Sequence, residues 1–67
     1  MKNFQRWSED SLKKRIEFLE YNISDWERTL SSTNSIIICK VLEMYIEGAR
    51  KEIRAIKAEL CYREHND

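Results

Sequence analysis

Two apolar stripes run along the same stretch of this chain, both at heptad spacing. Together they constrain the fold more than any other feature. The first comprises Cys39, Leu42, Ile46, Ala49, Ile53, Ile56 and Leu60. The second comprises Ile37, Val41, Met44, Gly48, Lys51, Ala55, Ala58 and Tyr62. Steps that alternate between three and four residues put a stripe on one face of an α-helix, whereas a strand needs alternation by two. A helix packs on one neighbour with one such stripe. Two stripes call for two neighbours. The rest of the chain supplies only one more helix, so the second neighbour is expected to be another protein chain.

That other helix has its own stripe: Leu12, Ile16, Leu19, Ile23, Trp26 and Leu30. Ser8 is a good N-cap, with Glu9 and Asp10 placed to meet the positive end of the helix dipole. Trp7 and Leu12 flank the cap at the positions of a hydrophobic staple. These signals predict an arm over residues 1–7 and a helix over 9–30. Ser31, Ser32, Thr33, Asn34 and Ser35 form the only polar, uncharged cluster. Their side chains compete for backbone hydrogen bonds, which favours a turn over 31–35. A second helix is expected over 35–62, with a frayed tail over 63–67. Ile36, Ile37 and Ile38 are β-branched and form helix poorly, so tertiary burial is expected to hold that first turn.

A short connection makes the two helices antiparallel neighbours. The expected fold is therefore all-α: one domain over 1–67, an antiparallel two-helix coiled-coil hairpin pairing into a dimeric four-helix bundle. The alternative is a single continuous helix in a long coiled coil. Proline is absent and Gly48 is the only glycine, which suits long helices better than β-hairpins and tight loops.

Twelve basic and twelve acidic residues cancel. Net neutrality argues against a simple nucleic-acid binder or a polybasic membrane anchor. In an antiparallel hairpin, however, Lys13, Lys14 and Arg15 fall level with Arg50, Lys51, Arg54 and Lys57. Glu20, Asp25, Glu27, Glu43 and Glu47 gather toward the turn. Charge is thus expected to divide lengthwise, with a basic open end. The plain reading is solvated faces with local pairs such as Lys13–Glu17 and Glu47–Lys51. The functional reading is a polarised docking surface that orients a partner. The longest apolar run, Ile36 to Cys39, falls far short of the roughly 20 residues that span a bilayer. The first residues are polar and charged, and no secretory signal is expected.

Cys39 and Cys61 belong to one helix, roughly 33 Å apart at about 1.5 Å per residue, which excludes an intrachain disulfide. Both are expected to be reduced thiols in a cytoplasmic protein. A single glycine rules out a phosphate-binding glycine loop. His65 stands alone, and no Cys/His spacing matches a zinc site. The carboxylates sit on helix surfaces as solubilising charge. No enzyme, cofactor or metal is expected.

Phe18 and Tyr21 lie one turn apart, off the stripe of the first helix. They are candidate anchors for a protein partner, unless the N-terminal arm covers them through Phe4. Gly48 costs roughly 1 kcal/mol relative to Ala inside a helix. With Ala55 and Ala58 it lets another backbone approach closely. Lys51 can lie over the same stripe with its charge in water.

Leu42-Glu43-Met44-Tyr45-Ile46-Glu47-Gly48 is similar to the Leu-x-x-Tyr-x-x-Gly stretch in the small subunit of bacterial exonuclease VII, and Leu19-Glu20 and Trp26-Glu27 echo the first helix of that family. The connection here is longer and lacks that family's glycine-containing turn. Cys39-Lys40-Val41-Leu42-Glu43 resembles the Ser-Gln-x-Leu-Asp motif of small phosphatases acting on sporulation response regulators. It shares only the leucine, with Glu in place of Asp. Neither likeness assigns the chain to a family.

The expected function is non-enzymatic protein binding: a stoichiometric regulator, inhibitor or assembly factor, in the style of small bacterial or phage-encoded accessory proteins. Ile37, Val41, Met44, Tyr45 and Gly48 are assigned to self-association as a homodimer. Phe18 and Tyr21 are assigned to a different protein partner. The alternative is a nucleic-acid accessory protein using Lys13, Lys14, Arg15, Arg50, Arg54 and Lys57. Neither a membrane nor a small-molecule substrate is expected as a partner.

Overall fold

A computed structural model of the protein describes residues 4–65. It is all-helical, with no strand among the described residues. A short 3-10 turn, Phe4–Arg6, precedes α1 (Glu9–Ser32) and α2 (Ile36–His65). The two long helices pack against each other as a hairpin, in a body measuring 49 × 19 × 16 Å. The chain breaks between them, so the single continuous helix does not form.

Local chemistry sets the boundaries. The Ser8 side chain accepts a hydrogen bond from the Ser11 amide at 3.1 Å and caps α1. α1 runs two residues past its expected end. The hydroxyls of Ser31 and Ser32 bond back to the carbonyls of Glu27 and Arg28, at 3.1 and 3.3 Å, so these serines extend the last turn instead of leaving it. Thr33 then ends the helix in extended conformation, its amide bonded to the Thr29 carbonyl at 3.0 Å. The Thr33 hydroxyl accepts from the Ser35 amide at 3.2 Å. The Ser35 hydroxyl accepts from the Ile38 amide at 3.3 Å. Among the described residues the backbone never enters the left-handed region, which is why the reversal needs no glycine.

The first turn of α2 departs from expectation. Ile36, Ile37 and Ile38 are all exposed in the single chain. The Ser35 cap holds this turn, and intrachain burial does not.

The core is the inner seam. Leu12, Leu19 and Ile23 of α1 meet Ile46, Ala49, Ile53 and Ile56 of α2, and Phe4, Trp7, Ile16, Trp26, Leu30 and Leu60 pack around them. Leu42 is buried on the same stripe. Burial of apolar surface at roughly 25 cal/mol per Å² makes this seam the main stabilising element.

The open end is closed by Arg63, which the sequence reading places in a frayed tail. Its Nε donates to Glu59 Oε2 at 2.8 Å. One Nη donates to the carbonyls of Trp7, Phe4 and Gln5 at 2.6, 3.0 and 3.3 Å. These bonds dock the 3-10 turn on the end of α2, which is helical as far as His65. The last two residues of the expected tail and the first three of the expected arm lie outside the described residues.

Candidate protein-interaction site

The residues assigned to self-association all reach the surface. Ile37 is 76 % exposed and Met44 70 %, and Val41, Tyr45 and Gly48 are exposed beside them. The stripe continues through Lys51, Ala55, Ala58 and Tyr62, every one of them exposed. At about 100° per residue, this outer stripe lies roughly 160° around α2 from the inner seam. α2 therefore has α1 on one side and an apolar face of similar length on the other. Isolated surface hydrophobics are ordinary; here Ile37, Val41 and Met44 are exposed in a row, and Lys51 interrupts the stripe further along.

Gly48 stands at the middle of this face. A Cβ added there would meet nothing within 4 Å, and its φ is not positive. The hairpin itself thus gives no steric reason for glycine, although glycine weakens a helix by about 1 kcal/mol relative to alanine.

Tyr45 sits at the edge of the face, its ring 5.6 Å from that of Trp26 and tilted by 45°. Phe18 lies on the same flank under the Arg15 guanidinium, 5.3 Å from its centre, and remains exposed. Tyr21 is 72 % exposed on the far side of α1. The arm does not cover this pair. Phe4 instead packs edge-on against Trp7 at 5.3 Å, on the open end of the core.

The cations proposed for nucleic acid are distributed differently from the expected basic end. Lys13 and Lys14 pair with Glu9 and Asp10 at 3.2 and 3.1 Å. Lys13 turns back to Glu9 instead of forward to Glu17, consistent with the better orientation of a carboxylate N-terminal to lysine. Arg15 bonds Glu52 at 2.7 Å and Arg50 bonds Glu27 at 2.8 Å, both across the hairpin. Lys51 pairs with Glu47 at 3.6 Å, as the spacing predicts. Among the described residues, Arg54 and Lys57 form no ion pair. A carboxylate thus stands beside each of Lys13, Lys14, Arg15 and Arg50, and these pairs dilute the lengthwise charge split.

On the flank away from Tyr45, Glu20, Ser24, Glu27, Arg50 and Arg54 rim an open groove of about 370 Å³ floored by Ile23 and Ile53. It continues toward the turn past Leu30, Glu43 and Glu47. Its rim mixes both signs of charge. Among the described residues no three His, Cys, Asp or Glu side chains are placed to hold a metal ion. Cys39 is half-buried on the inner seam and Cys61 is exposed, and both are free thiols. No helix among the described residues is long and apolar enough to cross a membrane. Comparison with protein families, curated proteins and solved structures returns no match for this chain.

The outer stripe of α2 is visible in the sequence, whereas the contacts of Arg63 are not. Its signal is the Glu59-to-Arg63 spacing of four residues. That pattern alone does not distinguish a surface pair from one that also reaches back to the N-terminal turn.

Proposed function

We propose that the protein is a stoichiometric protein-binding module that self-associates through the outer face of α2. The observation that carries this reading is the row Ile37, Val41, Met44 and Gly48, exposed along the side of α2 turned away from α1, with Tyr45 exposed at its edge beside Trp26. Covering it with a second hairpin adds the apolar burial that a two-helix chain of this size lacks. The product is a dimer of four helices. Phe18 and Tyr21 stay outside that contact on α1 and are the anchors for a different protein, for which the dimer presents two copies. The module acts by occupancy, as a regulator, inhibitor or assembly factor.

Light scattering on the wild type and on Met44→Glu tests the association. The expected result is a dimer that Met44→Glu converts to monomer, because the substitution buries a carboxylate in the contact. A folded wild-type monomer at all concentrations would overturn the reading.

A further inference from the structure

The outer face has a register built into it. Resting on the self-association reading, we infer that two copies pair α2 against α2 in antiparallel orientation, about a two-fold axis between Gly48 and Lys51. In that register Ile37 faces the partner's Tyr62, Val41 the partner's Ala58, Met44 the partner's Ala55, and Gly48 the partner's Lys51. The step pattern of the stripe reads the same from either end, so one offset aligns all eight positions at once. Side-chain size is complementary across each central layer. Val41 and Met44 come over Ala58 and Ala55, the long Lys51 comes over Gly48, and only the outermost layer, Ile37 with Tyr62, pairs two large side chains. A two-fold contact uses the same patch on both copies, and this patch complements itself.

Gly48 gains a reason in this arrangement. The aliphatic stem of the partner's Lys51 crosses the space left by the missing Cβ and carries its ammonium out to water. The open space around the Gly48 Cβ position in the single hairpin is the space this stem fills.

Charge selects the same orientation. Along one edge of the stripe run Lys40, Glu47, Arg54 and Cys61, all exposed. In the antiparallel register Glu47 of each copy lies beside Arg54 of the other, giving two symmetric ion pairs. Arg54 has no ion pair of its own among the described residues, and Glu47 has only the exposed 3.6 Å contact with Lys51. A parallel pair in register would set Glu47 against the partner's Glu52 and Arg54 against the partner's Glu59, so one edge contact repels where both of the antiparallel ones attract. It would also waste Gly48 on Gly48 and Ala55 on Ala55. Like-charge juxtaposition of this kind disfavours the wrong mode.

Because the two stripes of α2 lie on nearly opposite sides, the four helices stand in a row. The two copies of α2 are central and each α1 is at an edge. That order matches the one apolar stripe of α1 and the two of α2.

A distance measurement and a charge swap test the proposal. A nitroxide placed on Cys61 in the Cys39→Ala chain reads the orientation. Antiparallel pairing sets the two labels about 35 Å apart at 1.5 Å per residue, whereas parallel pairing leaves them about 10–20 Å apart. A dimer showing the long distance supports the register. A dimer showing the short one overturns it and leaves self-association standing. A monomer overturns both. In the swap, Glu47→Arg alone is expected to weaken dimerisation at least tenfold, and adding Arg54→Glu to restore it. Failure of the double variant to recover, in a chain that is still helical by circular dichroism, would overturn the register.

Discussion

The Arg63 guanidinium donates to the Trp7 carbonyl at 2.6 Å, joining the end of α2 to the residue just before the α1 cap. The same side chain is held by Glu59 at 2.8 Å, with both groups mostly shielded from water. One residue thus locks the open end of the hairpin opposite the turn. Arg63→Ala should lower stability by about 1.5–3 kcal/mol, the range for hydrogen bonds to a charged group. Arg63→Lys keeps the charge but not the forked donor geometry, and should recover less than half of that. Urea denaturation at matched protein concentration measures both. Wild-type stability in Arg63→Ala would remove the lock from the account.

The inner seam was legible because its residues follow one rule without exception. Every member from Cys39 to Leu60 is half-buried or buried, and the α1 stripe from Leu12 to Leu30 behaves the same way. Boundaries were less legible because hydroxyl side chains satisfy a backbone group in either of two ways. Ser31 and Ser32 bond back to carbonyls one turn earlier and continue the helix, while Ser35 bonds forward to the Ile38 amide and starts one. Residue type alone does not choose between these. Arg63 was missed for a related reason. Its partners are carbonyl oxygens of Phe4, Gln5 and Trp7, and backbone acceptors leave no trace in a sequence pattern.

The two faces of α2 should respond differently to truncation. Leu12 and Ile56 are both 0 % exposed and meet in the core. Leu12→Ala and Ile56→Ala should each cost about 2–5 kcal/mol, the transfer loss plus the cavity left behind. Ile37→Ala, made in the Met44→Glu chain to keep the outer face unoccupied, should change stability by less than about 0.5 kcal/mol, as for an ordinary surface site. Chemical denaturation of the three variants gives the comparison. A large loss at Ile37 in a monomeric chain would mean that the outer face has an intrachain partner.

The Arg15–Glu52 bond crosses the hairpin at 2.7 Å with side chains 27 % and 19 % exposed, unlike the surface pairs along each helix. A double-mutant cycle with Arg15→Gln and Glu52→Gln should give a coupling of about 1 kcal/mol, above most exposed pairs. The coupling should fall only modestly from low to moderate salt, because partial burial limits screening. The same cycle on the exposed Lys14–Asp10 pair should give a few tenths of a kcal/mol at most. Equal couplings at the two sites would show that bridging the helices adds nothing.

Gly48 separates the needs of the hairpin from those of its association. In the single chain nothing lies within 4 Å of a Cβ added there, so Gly48→Ala should stabilise the helix by about 0.5–1 kcal/mol. On the outer face the same methyl group occupies the space assigned to the partner's Lys51 stem and holds the two backbones apart. Two readouts should therefore move in opposite directions. In the monomeric Met44→Glu background, Gly48→Ala should raise the urea midpoint. In the otherwise wild-type chain it should weaken dimerisation severalfold, measured by dilution in analytical ultracentrifugation. A larger side chain sharpens the contrast, because Gly48→Leu remains compatible with an exposed helix site but not with a close backbone contact. If Gly48→Ala strengthens both folding and association, glycine is incidental at this position, and the close approach of two α2 helices is lost with it.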